Sequence, residues 1–364
     1  MNAGNQRYGG CRCIVWKAGK YRNHGCKAVG TPLMQINPQL IKNILVVRND
    51  RFGEFLLNIP AIRALKETFT DAKLIAIVNP YVRELADAVP FIDEVMEWGS
   101  KKHSLPERLK LLWFFINKNI DIAIMLNPSK EFNIFTFLAG IPIRAGYARK
   151  CSFLLNLKMK DKKHLGEKHE VEYNLELAGL LGAKTQDLSL SLKIEDNIIN
   201  GLGYNFTSDS RATFLAIHPW TSDPVKQWPL ESFRELTKKL LQYPDLRVII
   251  VGRREEAVKS SETFGYLSAG ALDLTGKTTL LQLAAVLKRC KLLISGDSGP
   301  IHLASAVGTP VLAIFRNDLQ GKTAKRWGPW GKAHSVIEKN CLLDIKVDEV
   351  FEKTKEMIEK GRAG

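Results

Sequence analysis

The chain has 364 residues, 45% hydrophobic and 25% charged, globular values that exclude disorder over most of its length and leave room for two domains. Lys and Arg number 53 against 38 Asp and Glu, a formal net charge of +15. Such an excess favours an anionic partner, whether nucleic acid, an anionic membrane face or a phosphorylated substrate.

No stretch approaches the roughly 18–20 apolar residues of a membrane span. Cys11 to Trp16 is too short for a secretory h-region, so a cytosolic chain is expected, with contact at a membrane surface still open. Six cysteines are too few for a disulfide scaffold, and Cys11, Cys13 and Cys26 lack a fourth ligand at zinc spacing. No metal and no cofactor are expected.

Residues 1–40 carry Arg7, Arg12, Lys17, Lys20, Arg22 and Lys27 without a single acid or apolar period, which predicts a flexible basic arm. From residue 43 strands and helices alternate. Ile44–Val47, Leu74–Val78 and Asp121–Leu126 are short apolar strands, and a helix is predicted over Phe55–Phe69. The alternation restarts with Phe214–His218, Val248–Val251, Leu292–Ser295 and Val311–Phe315, with helices near 230–242, 279–289 and 300–307. Continuous apolar runs separated by helices imply parallel sheets covered on both faces. Two doubly wound α/β domains follow, at 41–190 and 191–364, the second ending in a helix over about 347–360 that fits against either domain. The segment 144–168 is basic and is predicted to be a loop or frayed hairpin.

Ligands of doubly wound sheets bind beyond the carboxyl ends of strands, and three segments there carry chemistry. Arg48-Asn49-Asp50-Arg51-Phe52-Gly53-Glu54 follows the first strand. Glu54 is either a helix-opening acid or a carboxylate placed to deprotonate a hydroxyl. A single glycine makes no dinucleotide fingerprint, which disfavours a nicotinamide enzyme. In the second half, His218-Pro219-Trp220-Thr221-Ser222-Asp223-Pro224-Val225-Lys226 offers two hydroxyls and an ammonium suited to phosphate oxygens. Ser295-Gly296-Asp297-Ser298-Gly299-Pro300-Ile301-His302 turns into a helix whose free N–H groups form an anion site. Asp297 would repel a phosphate directly, so loop amides or a sugar hydroxyl are its expected partners, and His302 is either a packing residue or a phosphate donor. Glu255 and Glu256, after the 248–251 strand, are either ribose acceptors or helix-capping acids. Asn127-Pro128-Ser129-Lys130 ends a strand of the first half and faces the same predicted cleft.

H-P-W-T-S-D-P-V-K-Q-W-P (218–229) and G-D-S-G-P-I-H-L-A-S-A-V-G-T-P-V (296–311), with I-L-V-V-R-N-D-R-F-G-E-F-L-L-N-I-P-A-I-R-A-L (44–65) before them, resemble glycosyltransferase family 9, the ADP-heptose:lipopolysaccharide heptosyltransferases. The resemblance covers about 43–350. It implies a GT-B fold, in which two Rossmann-like domains face a cleft with the acceptor on the first and the nucleotide sugar on the second. It also implies inverting, metal-independent transfer from an ADP-sugar to a lipopolysaccharide-core glycolipid. By position, Glu54 takes the place of the general base. Thr221, Ser222 and Lys226 match donor-phosphate contacts, and Asp297, Ser298, Gly299, Pro300 and His302 match the diphosphate and sugar motif. Glu255 or Glu256 lies where the nucleoside binds, and Arg51 and Lys130 are expected at the acceptor. The family's usual residue at position 54 is Asp; Glu keeps the carboxylate but moves it by about one C–C bond. Asp50 is the rival base.

Three other readings compete: a sugar-nucleotide epimerase of similar shape, a sugar-nucleotide-binding protein without turnover, and a nucleic-acid binder. The last lacks aromatics interleaved with its basic stretches. The arm supplies six of the fifteen excess charges. Peripheral contact with the inner face of a membrane is therefore the expected role of the remaining surplus.

Overall fold

The computed structural model describes residues 36–99, 102–202, 212–267 and 270–360. Residues 1–35, which hold the basic charges of the predicted arm and the Cys11–Cys13–Cys26 group, lie outside them.

The first half runs β1 (Asn43–Arg48), α1 (Phe52–Leu56), α2 (Ile59–Thr68), β2 (Lys73–Val78), α3 (Arg83–Asp87) and β3 (Glu94–Glu97). It continues with α4 (Leu105–Asn117), β4 (Ile122–Met125), α5 (Lys130–Leu138), β5 (Ile143–Tyr147), β6 (Leu157–Met159) and α6 (Glu170–Gly179). The second half runs β7 (Thr213–His218), α7 (Leu230–Leu240), β8 (Leu246–Ile250), α8 (Ala257–Phe264), β9 (Ala271–Asp273) and α9 (Leu280–Arg289). It closes with β10 (Leu292–Gly296), α10 (Gly299–Ala306), β11 (Val311–Arg316), α11 (Ala324–Trp327), β12 (Ser335–Lys339) and α12 (Val347–Lys360).

Each half builds one six-stranded parallel sheet, ordered β3-β2-β1-β4-β5-β6 and β12-β11-β10-β7-β8-β9. Numbered within its own half, each sheet has the same doubly wound order, and the order reverses between β1 and β4 and between β7 and β10.

Alternation along the strands assigns the two faces. Ile44 and Val46 of β1 face a central apolar layer, while Leu45 and Val47 face an outer one with Leu111 and Phe115 of α4. In β7, Phe214 and Ala216 join the central layer, whereas Leu215 and Ile217 face Phe233, Leu236 and Leu240 of α7. The central layer holds α1, α2 and α6 of the first half and α9 and α10 of the second, so one apolar core crosses between the halves. The last helix settles on the second half, with Val350 and Ile358 of α12 buried beside α7.

Three expectations need correction. The helix predicted over 55–69 is two helices, because Pro60 lacks an N–H and its ring would collide with the carbonyl of residue 56 in a continuous helix. The 144–168 segment is no hairpin: β5 and β6 lie parallel, with Ala145 beside Leu157. The edge strands β3, β6, β9 and β12 add to the predicted set. They are short or half-exposed and carry charged residues such as Glu94, Lys158, Asp273 and Glu338, which removes the apolar run that marks a buried strand.

Candidate active site

The reversal point of the first sheet opens a cleft of about 540 Å³ lined by Asn49, Asn127, Ser129, Lys130, Glu131 and Lys150, among others. Asn127 Nδ2 donates to Asn49 Oδ1 at 3.3 Å, joining the ends of β1 and β4. Lys150, with φ of 47°, brings a second ammonium to a wall where the sequence pointed to Lys130. Arg51 stands exposed at the N-cap of α1 rather than in this wall.

Beside the cleft, α1 carries Glu54 in its first turn. Burial pushes the Glu54 carboxyl above its ordinary range; Arg48 pulls against that shift and Asp50 adds to it. Asp50 is committed elsewhere, accepting from Arg48 Nε at 2.8 Å. Arg48 itself is buried and donates from Nη1 to the Leu126 carbonyl at 3.0 Å.

At the reversal point of the second sheet the two other motifs meet. Lys226 Nζ pairs with the Asp297 carboxylate. Burial raises the Asp297 carboxyl even with that ammonium against it. Buried His218 shares a small network beneath the loops: its Nδ1 lies 3.2 Å from Ser295 Oγ and 3.1 Å from Ser298 Oγ. Desolvation pushes this imidazole down to about 3, so it stays neutral. With its hydroxyl held inward, Ser298 makes no side-chain cap on α10. The Ile301 N–H reaches the Ser298 carbonyl at 3.3 Å and Pro300 has no N–H, which leaves the Gly299 N–H as the first-turn donor without an intrahelical partner. The Thr221 hydroxyl closes a turn by accepting from the Asp223 N–H at 3.3 Å, and Ser222 is exposed.

The halves join directly behind these loops. A Cβ on Gly53 would sit 3.1 Å from Gly299 Cα and 3.1 Å from a ring carbon of His302. The Phe52 ring covers the missing side chain of Gly299. Two glycines therefore let the N-terminus of α1, and Glu54 with it, approach the N-terminus of α10. His302 is buried in that contact. Its Nδ1 has no hydrogen-bond partner among the described residues, and burial lowers its imidazole to about 3, which keeps it uncharged.

A buried ionic cluster ties the same elements together. Glu170, at the start of α6, accepts from Lys163 Nζ and from Arg326 Nε and Nη2 at 3.1 and 3.0 Å, and lies 3.9 Å from Arg48 Nη1. The three cations hold the Glu170 carboxyl below its ordinary range against desolvation. Next to it, His169 Nε2 lies 3.0 Å from the Gly328 carbonyl and its ring rests 4.5 Å from Trp330.

At the end of β8, Glu256 is spent on local structure, accepting from the Arg253 N–H at 2.7 Å and from its guanidinium. Glu255 remains exposed. Buried Trp220 points its Nε1 toward Gly252 and Glu256 without a hydrogen-bond partner among the described residues.

The structure thus brings Phe52 and Gly53, next to Glu54, against Gly299 and His302 at one seam, and pairs Lys226 with Asp297 in the loop that leads into α10. Glu255 and Glu256 stand one strand away, and Lys130 occupies the facing cleft. Sequence reasoning missed Lys150, Phe52 and the Arg48–Lys163–Glu170–Arg326 cluster. Only Arg48 carried a signal, as a charge ending an apolar strand; the others are drawn from loops and from the opposite half.

The model of glycosyltransferase family 9 (heptosyltransferase) matches residues 108–355. Lipopolysaccharide heptosyltransferase 2 of Escherichia coli strain K12 is 25% identical over 286 residues, covering 75% of this chain and 82% of that protein. The structure of E. coli ADP-heptose lps heptosyltransferase II superposes with a TM-score of 0.76 at 22% identity, covering 88% and 99% of the two chains. E. coli heptosyltransferase WaaC with ADP-2-deoxy-2-fluoro heptose gives 0.69 at 22% identity, covering 86% and 99%. Two parallel sheets of reversed order, facing each other across a seam of helix N-termini, are the GT-B arrangement, and the chain belongs to glycosyltransferase family 9, the heptosyltransferases.

Proposed function

We propose that the protein transfers a heptose from an ADP-linked donor to a lipopolysaccharide-core glycolipid at the cytoplasmic face of a membrane. The observation that carries this reading is the approach of α1 to α10 through Gly53 and Gly299, which brings the helix turn carrying the half-buried Glu54 up to the N-terminus of α10. The nucleotide half of the donor is inferred from the ADP-heptose analogue held by the WaaC structure.

In the proposed reaction the acceptor hydroxyl enters from the Asn49–Lys130–Lys150 cleft. Glu54 takes its proton as the oxygen attacks the anomeric carbon from the face opposite the diphosphate. The bond from that carbon to the diphosphate oxygen breaks with both electrons leaving on the phosphate, and the configuration inverts. The new charge falls on Lys226, the Thr221 and Ser222 hydroxyls and the N-terminus of α10, groups fixed before the step and therefore effective in stabilising it. Donor binding has by then exchanged Lys226's Asp297 partner for phosphate, leaving Asp297 to a sugar hydroxyl or loop amide. Raising the Glu54 carboxyl strengthens it as a base once ionised.

Purified protein assayed with a panel of ADP- and UDP-sugars and a lipid A–core acceptor tests the assignment. Transfer from ADP-heptose is expected; turnover of UDP-sugars alone would move the donor, and turnover without any acceptor would favour an epimerase.

A further inference from the structure

We propose that the outer face of the first half, centred on α4, is the surface that seats this protein on an anionic lipid bilayer; the proposal rests on the glycolipid acceptor named above. Leu105, Leu109, Trp113 and Ile116 fall on one side of α4 and are all exposed, Trp113 to 66%. The core instead takes Leu111 and Phe115 from the helix's other side. A globular helix of this kind normally buries its apolar stripe and turns polar residues outward; here a second apolar stripe, with a tryptophan, faces away from the core. Arg108 and Lys110 lie about 60° of helix rotation beyond its two edges, the disposition of a helix lying in a membrane interface.

The surrounding surface continues the pattern. Phe137 and Leu138 at the end of α5 are exposed, as is Phe153 at 76%. Arg144 sits between them, its guanidinium 5.4 Å from the Phe137 ring and bonded to the Leu154 carbonyl. On the edge strand β6, Leu157 and Met159 face the central layer, so Lys158 points to this outer side. From Lys102 to Lys163, Lys and Arg outnumber Asp and Glu three to one. Exposed aromatics and aliphatics edged by cations complement anionic headgroups over acyl chains. The stripe also begins at the acceptor cleft: Glu131 of the cleft wall accepts from Trp98 Nε1 at 3.1 Å and lies 3.8 Å from Arg108 of α4. A lipid-anchored acceptor could then present its sugars to the cleft without leaving the bilayer.

The full chain is mixed with vesicles of phosphatidylcholine alone or with 30% phosphatidylglycerol, and bound protein is measured by flotation. Binding to the anionic vesicles is expected, weakening with salt. Leu109→Glu/Trp113→Glu should lose roughly tenfold or more of it, and Lys110→Glu/Lys158→Glu a comparable amount. Both variants should keep wild-type transfer to a deacylated, water-soluble acceptor, which also shows that they fold. Unchanged vesicle binding by the Leu109→Glu/Trp113→Glu protein would overturn the proposal, since the basic arm is intact in it. So would a wild-type dimer that this substitution turns into a monomer, because a second copy would then cover the stripe. Failure of vesicle binding with transfer intact removes the docking surface alone; vesicle binding without heptose transfer removes the proposed function alone.

Discussion

Arg326 of α11, in the second half, sets Nε and Nη2 3.1 and 3.0 Å from one oxygen of Glu170, which opens α6 in the first. The other oxygen takes Lys163 and faces Arg48 at 3.9 Å. One buried acid thereby gathers cations from the strand that leads to Glu54, from the loop before α6 and from a helix of the opposite half. Burial, helped by the neighbouring charges of Arg48 and Arg326, lowers Lys163 to about 8 despite that carboxylate.

Glu170→Gln strands these cations in a region with almost no solvent, and a loss of roughly 3–5 kcal/mol is expected for breaking a buried pair from one side. Urea denaturation measures it. Arg326→Ala should cost less, because Lys163 and Arg48 still face Glu170 in that variant. Equal costs would mean that the contact between the halves, rather than the buried acid, dominates.

The base assignment has a pH signature. Glu54 titrates above its ordinary range because it is buried and Asp50 adds to the shift, so the acid limb of kcat/KM should lie above the usual carboxylate range. Asp50→Asn removes a like charge and releases Arg48, moving that limb to lower pH while activity survives. Glu54→Gln should cut kcat by about 10²–10⁴. If Asp50→Asn is the dead variant instead, the base is Asp50.

The same shift has a consequence for stability. A carboxyl whose folded pKa exceeds its unfolded one binds more protons when folded, so its contribution is present at low pH and is lost as pH rises through the window between the two values. Glu54→Gln should therefore melt at the same temperature as wild type or higher at neutral pH while losing activity. A calorimetric scan at pH 7.5 showing a clear drop in Tm would instead give Glu54 a structural role.

Lys226 and Asp297 should separate chemistry from folding. Lys226→Ala leaves a buried carboxylate without its cation, costing roughly 2–4 kcal/mol, and removes a charge from the leaving group, costing about 10²–10³ in kcat. Adding Asp297→Asn should restore most of the stability and little of the turnover. Recovery of both in the double variant would mean that Lys226 only neutralises Asp297.

Gly299→Ala puts a methyl where the Phe52 ring lies. Overpacking of this kind costs about 1–3 kcal/mol, and here it also pushes α1 from α10, so Tm and kcat should fall together. Phe52→Ala in the same chain should recover Tm. A Gly299→Ala protein with wild-type rate would show that the closeness of these helices does not matter to transfer.

The sequence was enough for two parallel sheets, since runs such as Val46-Val47 and Leu215-Ala216-Ile217 are apolar on both faces only in strands covered on both sides. It was also enough to place three turn-rich loops at the ends of β1, β7 and β10, because glycines and the proline of α10 mark those turns. Edge strands and the break before Pro60 were less legible: half-exposed strands lose the apolar run, and a proline near a helix start carries the same letters as one inside it.

What only the tertiary structure decided is which of these residues meet. Glu170 and Arg326 are 156 positions apart, and Gly53 faces Gly299 across the chain's two halves. Local propensity and periodicity act over a few residues, whereas these pairings depend on how two separately wound sheets bury one shared apolar layer. The gathering of Arg48, Lys163 and Arg326 around Glu170 follows from that shared layer, whereas the pairing of Asp50 with Arg48, two residues apart, is a local contact.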